Sequence, residues 1–256
     1  MTEYAPGTPC WLDLGTPDLD AAIAFYGELF DWGCVRGGPE VGGYSTFTKD
    51  GRAVAGVGPL MNEHQPVVWT MYLSSHYVDA AANRVTDAGG TVISPPADVM
   101  DLGRFAMFAD RAGAAFGVWQ PGTMTGADVT GAPGTLTWTE LITRDVDGAK
   151  AFYPDVFGWT ARDLPGTEPP YTLWQIGDVP VAGMILMNDR WPAELPAHWM
   201  VHFGVDDCDA AAKLAGELGG SVSVPPTDTP AGRFAVLADP QHAPFIVLKI
   251  NPDYQP

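Results

Sequence analysis

Two carboxylates, a phenol and an imidazole fall at places where they could move protons. Asp13 follows Trp11 by two residues, and Tyr72 follows Thr70 by two. Glu140 follows Trp138 in the same way, and His202 follows Met200. Successive strand side chains alternate between faces, so each of these pairs shares one face, as do Gly117 and Trp119. Each half of the chain then presents one carboxylate with a Tyr or a His. Glu140 could orient or ionise with His202, and Asp13 could be raised by an apolar wall to act on a phenol or ketone. The plainer alternative is that both acids serve as structural partners of backbone groups or of Arg104 and Arg233. His198 and His202 lie four apart on one strand, about 13 Å at strand rise, too far to share a metal. His64, His76 and His242 fall in turns and read as surface residues.

The elements that must position these residues come from a repeat. Trp11-Leu12-Asp13-Leu14, Phe25-Tyr26 and Phe30-Asp31-Trp32 return as Trp138-Thr139-Glu140-Leu141, Phe152-Tyr153 and Phe157-Gly158-Trp159. Tyr44 returns as Tyr171, Trp69 as Trp199, Pro95-Pro96 as Pro225-Pro226, and Gly103-Arg104-Phe105-Ala106 as Gly232-Arg233-Phe234-Ala235. Each copy doubles again. A strand leads into a helix opened by Asp18 or Asp145, and a later strand into one that starts near Val78 or Cys208 and ends at a glycine pair. The reading is α+β: a tandem duplication of four β-α-β-β-β units at about 9–62, 66–121, 135–188 and 198–250. Two domains, 7–122 and 134–252, flank a Gly/Thr/Ala/Pro linker at 123–133, expected to be an exposed tether. The paired prolines read as punctuation between helix and final strands.

Composition narrows the function. Apolar residues make up 46% of the chain and tryptophans number nine, which fits a packed core and excludes disorder. No apolar run is long enough to span a bilayer and no secretory signal opens the chain, so a cytoplasmic location is expected. The formal charge of −18 disfavours nucleic acid and anionic membrane as partners. Cys10, Cys34 and Cys208 do not recur between copies and have no metal-like spacing. Phosphate loops, dinucleotide-binding glycine patterns and nucleophile elbows are missing from the sequence.

Asp18-Leu19, Ala24-Phe25-Tyr26, Leu29-Phe30-Asp31-Trp32 and Ala238-Asp239-Pro240 before the last strand resemble the vicinal oxygen chelate superfamily, which includes glyoxalase I, bleomycin-resistance proteins and extradiol dioxygenases. The resemblance implies two glyoxalase-like, half-open barrel domains, each with a site on its concave face. More narrowly, the chain looks like two-domain actinobacterial proteins often labelled hydroxylase and found in aromatic polyketide antibiotic clusters. The family's metal is held by His or Gln and Glu. At the matching positions this chain has Trp11, Thr70 and Gly117 in copy one and Trp138, Met200 and Ile246 in copy two, and the fourth ligand falls near Gly56 and Gly183. These are poor donors for a divalent cation, so no cofactor is expected.

With Trp119, the same residues would wall a pocket for a flat apolar ligand, roomier in copy one because Gly117 is small. Three functions stay open. One is a metal-free protein binding a hydrophobic, aromatic small molecule in natural-product metabolism or resistance, as monomer or homodimer. The second is a metal-independent enzyme (isomerase, cyclase or hydroxylation accessory) on an aromatic polyketide, using Asp13 with Tyr72 or Glu140 with His202. The third is a metal-dependent lyase or dioxygenase.

Overall fold

A computed structural model describes residues 3–189 and 191–254. The four expected units are present. The first is β1 (Pro9–Thr16), α1 (Leu19–Phe30), β2 (Gly33–Val35), β3 (Ser45–Lys49) and β4 (Arg52–Pro59). The second is β5 (Trp69–Ser74), α2 (Val78–Asp87), β6 (Thr91–Val99), β7 (Gly103–Ala109) and β8 (Ala115–Pro121). Copy two repeats them as β9 (Leu136–Thr143), α3 (Val146–Phe157), β10 (Thr160–Leu164), β11 (Tyr171–Ile176) and β12 (Val179–Leu186), then β13 (His198–Gly204), α4 (Cys208–Glu217), β14 (Ser221–Thr229), β15 (Gly232–Ala238) and β16 (Pro244–Ile250).

In every unit the first strand pairs in parallel with the fourth, across the helical crossover. The two middle strands extend the sheet antiparallel. Each copy forms one eight-stranded sheet, in the orders β2-β3-β4-β1-β5-β8-β7-β6 and β10-β11-β12-β9-β13-β16-β15-β14, open at both ends. No helix among the described residues is long and apolar enough to cross a membrane.

Local chemistry explains the helix ends. Asp18, Asp145 and Asp207 cap α1, α3 and α4, each accepting from a backbone N–H at 2.9 to 3.0 Å. The chain leaves α1 and α3 in the left-handed region, at Asp31 (φ 57°) and at Gly158 (φ 70°). Asp and Gly tolerate that conformation at lower cost than most residues, which accounts for the mismatch inside an otherwise repeated Phe-x-Trp.

Two expectations need correcting. Pro95-Pro96 and Pro225-Pro226 lie within the edge strands β6 and β14, at register shifts against β7 and β15. A bulged edge is where a residue without an N–H does least harm to a sheet. The segment after Gly122 is exposed over much of its length but is anchored rather than free. Ala127 is buried, and Asp128 is fixed to Ala53 both ways, its carboxylate accepting from Ala53 N and its own N–H donating to Ala53 O, each at 2.8 Å.

By compactness the described chain divides into two units that cut across the repeat. One comprises Met1–Trp11, Met71–Gly126 and Trp138–Met200; the other comprises Leu12–Thr70, Ala127–Thr137 and Val201–Pro256. The first is organised around Tyr153, which packs with Phe116, Trp159, Trp174 and Trp199. The second is organised around Tyr26, against Trp32, Phe47, Trp69 and Phe245.

Each central tyrosine is the middle of a buried relay. Trp199 Nε1 donates to the Tyr153 hydroxyl at 3.0 Å, which donates to Asp110 Oδ2 at 3.0 Å. Trp69 Nε1 donates to Tyr26 at 2.9 Å, and Tyr26 donates to Asp239 Oδ2 at 3.1 Å. The other carboxylate oxygen closes the turn ahead of the last strand by accepting two backbone N–H groups, from Ala112 and Ala114 or from Gln241 and Ala243, all at 2.9 Å. The repeated Phe-Tyr pair and the repeated aspartate ahead of the last strand are therefore a packing device. Asp110 of copy one holds Tyr153 of copy two, and Asp239 of copy two holds Tyr26 of copy one.

Candidate functional site

The register of the parallel strand pairs puts the four chemically competent residues in one structural position. Asp13 lies beside Gly56, Tyr72 beside Gly117, Glu140 beside Gly183, and His202 beside Ile246. Glu140, Tyr72 and His202 are buried, whereas Asp13 is half-buried. Three of the neighbours are glycine for a visible reason: a tyrosine lies over each. A Cβ would strike the Tyr44 hydroxyl at Gly56, the Tyr72 ring at Gly117 and the Tyr171 hydroxyl at Gly183. The room expected beside Gly117 is thus filled by Tyr72 itself.

Copy two assembles a cluster around Glu140. The half-buried Trp138 donates from Nε1 to the Tyr171 hydroxyl at 3.0 Å. That hydroxyl hydrogen-bonds the Glu140 carboxyl. Burial pushes Glu140 up to about 7, opposed by the Tyr171 bond, so its proton is exchangeable near neutrality. Substituting Gly183 by alanine should push Tyr171 off Glu140 and destabilise the fold by roughly 1–3 kcal/mol, as overpacking does; urea unfolding checks this, and an unchanged midpoint would contradict the packing described.

The remaining sequence candidates are placed as follows. Trp11 and Met200 are buried and Thr70 is half-buried. Trp119 is buried, its Nε1 tied to Met124 O at 2.9 Å and its ring over Gly103. Burial pulls His202 down to about 3, so its ring is neutral at physiological pH and cannot be the ionised partner considered for Glu140. His64, His76 and His242 are exposed as expected. Arg104 and Arg233 do not serve the inward acids. Arg104 pairs with Asp79 and Asp98 at 3.0 and 2.8 Å, and Arg233 with Asp209 and Asp228 at 2.7 and 2.9 Å.

Tyr44 and Tyr171 are candidate site residues that strand alternation did not select. Their recurrence at one offset was visible, but nothing in a single sequence says that a tyrosine one strand away covers a glycine. A cleft of about 450 Å³, lined by Lys150, Asp163, Met184 and Leu186 among others and reached by Tyr171, opens on the helix side of the copy-two sheet. Met184 and Leu186 alternate with Gly183, so this cleft lies on the opposite face from Glu140.

Two parallel-paired β-α-β-β-β units per open sheet, with a site position where the first and fourth strands of a unit meet, define the vicinal oxygen chelate class of fold. The chain belongs to this family: residues 10–118 and 135–246 match the Glyoxalase/Bleomycin resistance protein/Dioxygenase superfamily. It is 45% identical over 271 residues to "Anthracycline biosynthesis protein DnrV" of Streptomyces peucetius, covering 99% of this chain and 97% of that protein. It is 44% identical over 269 residues to "Anthracycline biosynthesis protein DauV" of Streptomyces sp. (strain C5), with the same coverage. Among solved structures, the Mn(II)-bound glyoxalase from Novosphingobium aromaticivorans superposes with a TM-score of 0.66 at 20% identity, over 95% of this chain and 82% of that one.

The family's metal does not fit the residues present here. The positions that would supply ligands hold Trp11, Thr70 and Gly117 in copy one and Trp138, Met200 and Ile246 in copy two, with the fourth ligand falling near Gly56 and Gly183. None offers a carboxylate or imidazole to a hard or borderline cation. Among the described residues, no group of three or more His, Cys, Asp or Glu side chains is placed to hold a metal ion.

Proposed function

We propose that the protein binds a planar, hydrophobic aromatic small molecule of natural-product metabolism on the inward face of its sheets, without a metal. The observation that carries this reading is the exchange of ligand chemistry: in copy two the positions for metal donors are occupied by Trp138 and Gly183, and the latter makes room for Tyr171. Aromatic rings give large, rigid stacking surface, and the indole and phenol edges leave a few fixed polar contacts for orientation. Two relatives of nearly full length are named for anthracycline biosynthesis, which supports an aromatic polyketide as the ligand. The charge of −18 supports a small-molecule partner over nucleic acid.

Native mass spectra of the chain mixed with planar polycyclic metabolites test the reading. The expected result is a retained ligand with no metal in the complex. Replacing Trp138 by alanine should weaken binding roughly 10- to 100-fold, the loss of one stacking surface of about 1–3 kcal/mol. Wild-type affinity in that variant would move the ligand away from copy two.

A further inference from the structure

We propose, building on the binding reading above, that copy two also exchanges protons with its ligand: Glu140, positioned by Tyr171 and Trp138, interconverts the keto and enol forms of a planar aryl ketone. The geometry assigns the roles. Because the Tyr171 oxygen already accepts from Trp138 Nε1 at 3.0 Å, its own proton is left to point at Glu140. The phenol is therefore a donor held in one orientation, and the carboxyl it holds lies in a buried place beside Gly183, with no Cβ between them. Trp138 and Tyr171 are only half-buried, so the cluster borders solvent on the side where a flat ligand would stack.

The other three equivalent positions differ in burial or in chemistry. Tyr72 spends its ring on Gly117, His202 is held neutral by burial, and Asp13 is half-buried.

The step balances within the pair. The Glu140 carboxylate takes a proton from the carbon next to the ketone; the C–H electrons form the C=C bond, and the carbonyl π electrons move to oxygen. The carboxylic acid then returns the proton to that oxygen. The product is an isomer, and neither an oxidant nor a metal is consumed. A carboxyl titrating near 7 suits both halves of such a transfer.

Acenaphthenone, a planar tricyclic aryl ketone with two exchangeable hydrogens on the carbon next to its carbonyl, is the probe. Those hydrogens are followed by proton NMR in D2O with dilute buffer, and its binding is followed separately by quenching of tryptophan fluorescence. The wild-type chain should speed exchange at least ~10²-fold over buffer, within the range of general acid–base catalysis. Glu140→Gln should fall to the buffer rate while still quenching. Tyr171→Phe, which keeps Glu140, should retain exchange but shift the midpoint of the pH–rate curve upward, because the lost hydrogen bond favoured the carboxylate. Binding without faster exchange, or full exchange in Glu140→Gln, would overturn the proposal and leave the binding reading intact. An unmoved midpoint in Tyr171→Phe would overturn the positioning role. Absence of quenching by acenaphthenone would count against the binding reading and remove this proposal with it.

Discussion

Glutamine at position 140 should make the protein more stable above neutral pH, although it removes a hydrogen-bonded carboxyl. The sign follows from linkage. Glu140 titrates at about 7 in the folded chain against 4.5 for a free side chain, so the native state holds its proton more tightly than the unfolded state. That contribution is fully present below pH 4.5, declines as pH rises through 7, and is gone above it. A shift of this size corresponds to about 3 kcal/mol. The difference in unfolding free energy between Glu140→Gln and wild type should therefore grow by about 3 kcal/mol from pH 4 to pH 8. Other titrating groups act in both proteins and cancel. Urea titrations across that range read the difference directly, and a difference independent of pH would mean that Glu140 titrates like an exposed carboxylate.

The second large effect is expected far from the candidate site. Alanine at Asp239 would leave three donors unmet, two of them buried: the Tyr26 hydroxyl, the N–H of Ala243 and the part-buried N–H of Gln241. An unsatisfied buried group costs about 1–3 kcal/mol, so the loss should be about 4 kcal/mol after partial relaxation. Asp110→Ala should behave alike, because the Asp110 relay repeats the same bonds. Thermal unfolding checks both: a fall of about 8–16 °C is expected for a chain of this size. A fall of only a degree or two would show that the repeated aspartate contributes little to packing.

These two predictions also divide what the sequence made legible from what it did not. The four units, their helix ends and their order could be read because each rests on local chemistry repeated along the chain: Asp18 and Asp145 as caps, the glycine pairs as stops, strand alternation around Trp11 and Trp138. Long-range partners were not legible. Asp239 and Tyr26 are 213 residues apart, and only the folded chain joins them. The same limit hid Tyr171, since its position over Gly183 depends on the pairing of β11 with β12 rather than on any spacing. Glu140 could be chosen from period-two alternation alone, but its holder could not. The prolines misled because Pro-Pro signals a loop by propensity, whereas a bulged edge strand offers the same freedom from N–H pairing.

The most direct test of the central claim is a calorimetric titration of the EDTA-treated chain with 1,8-dihydroxyanthraquinone, run beside Trp138→Ala. Saturable, near-stoichiometric binding that needs no added metal and weakens at least ~10-fold in the variant is the expected result. Heat only after Mn(II), Fe(II) or Zn(II) is restored, or none at all, would contradict it.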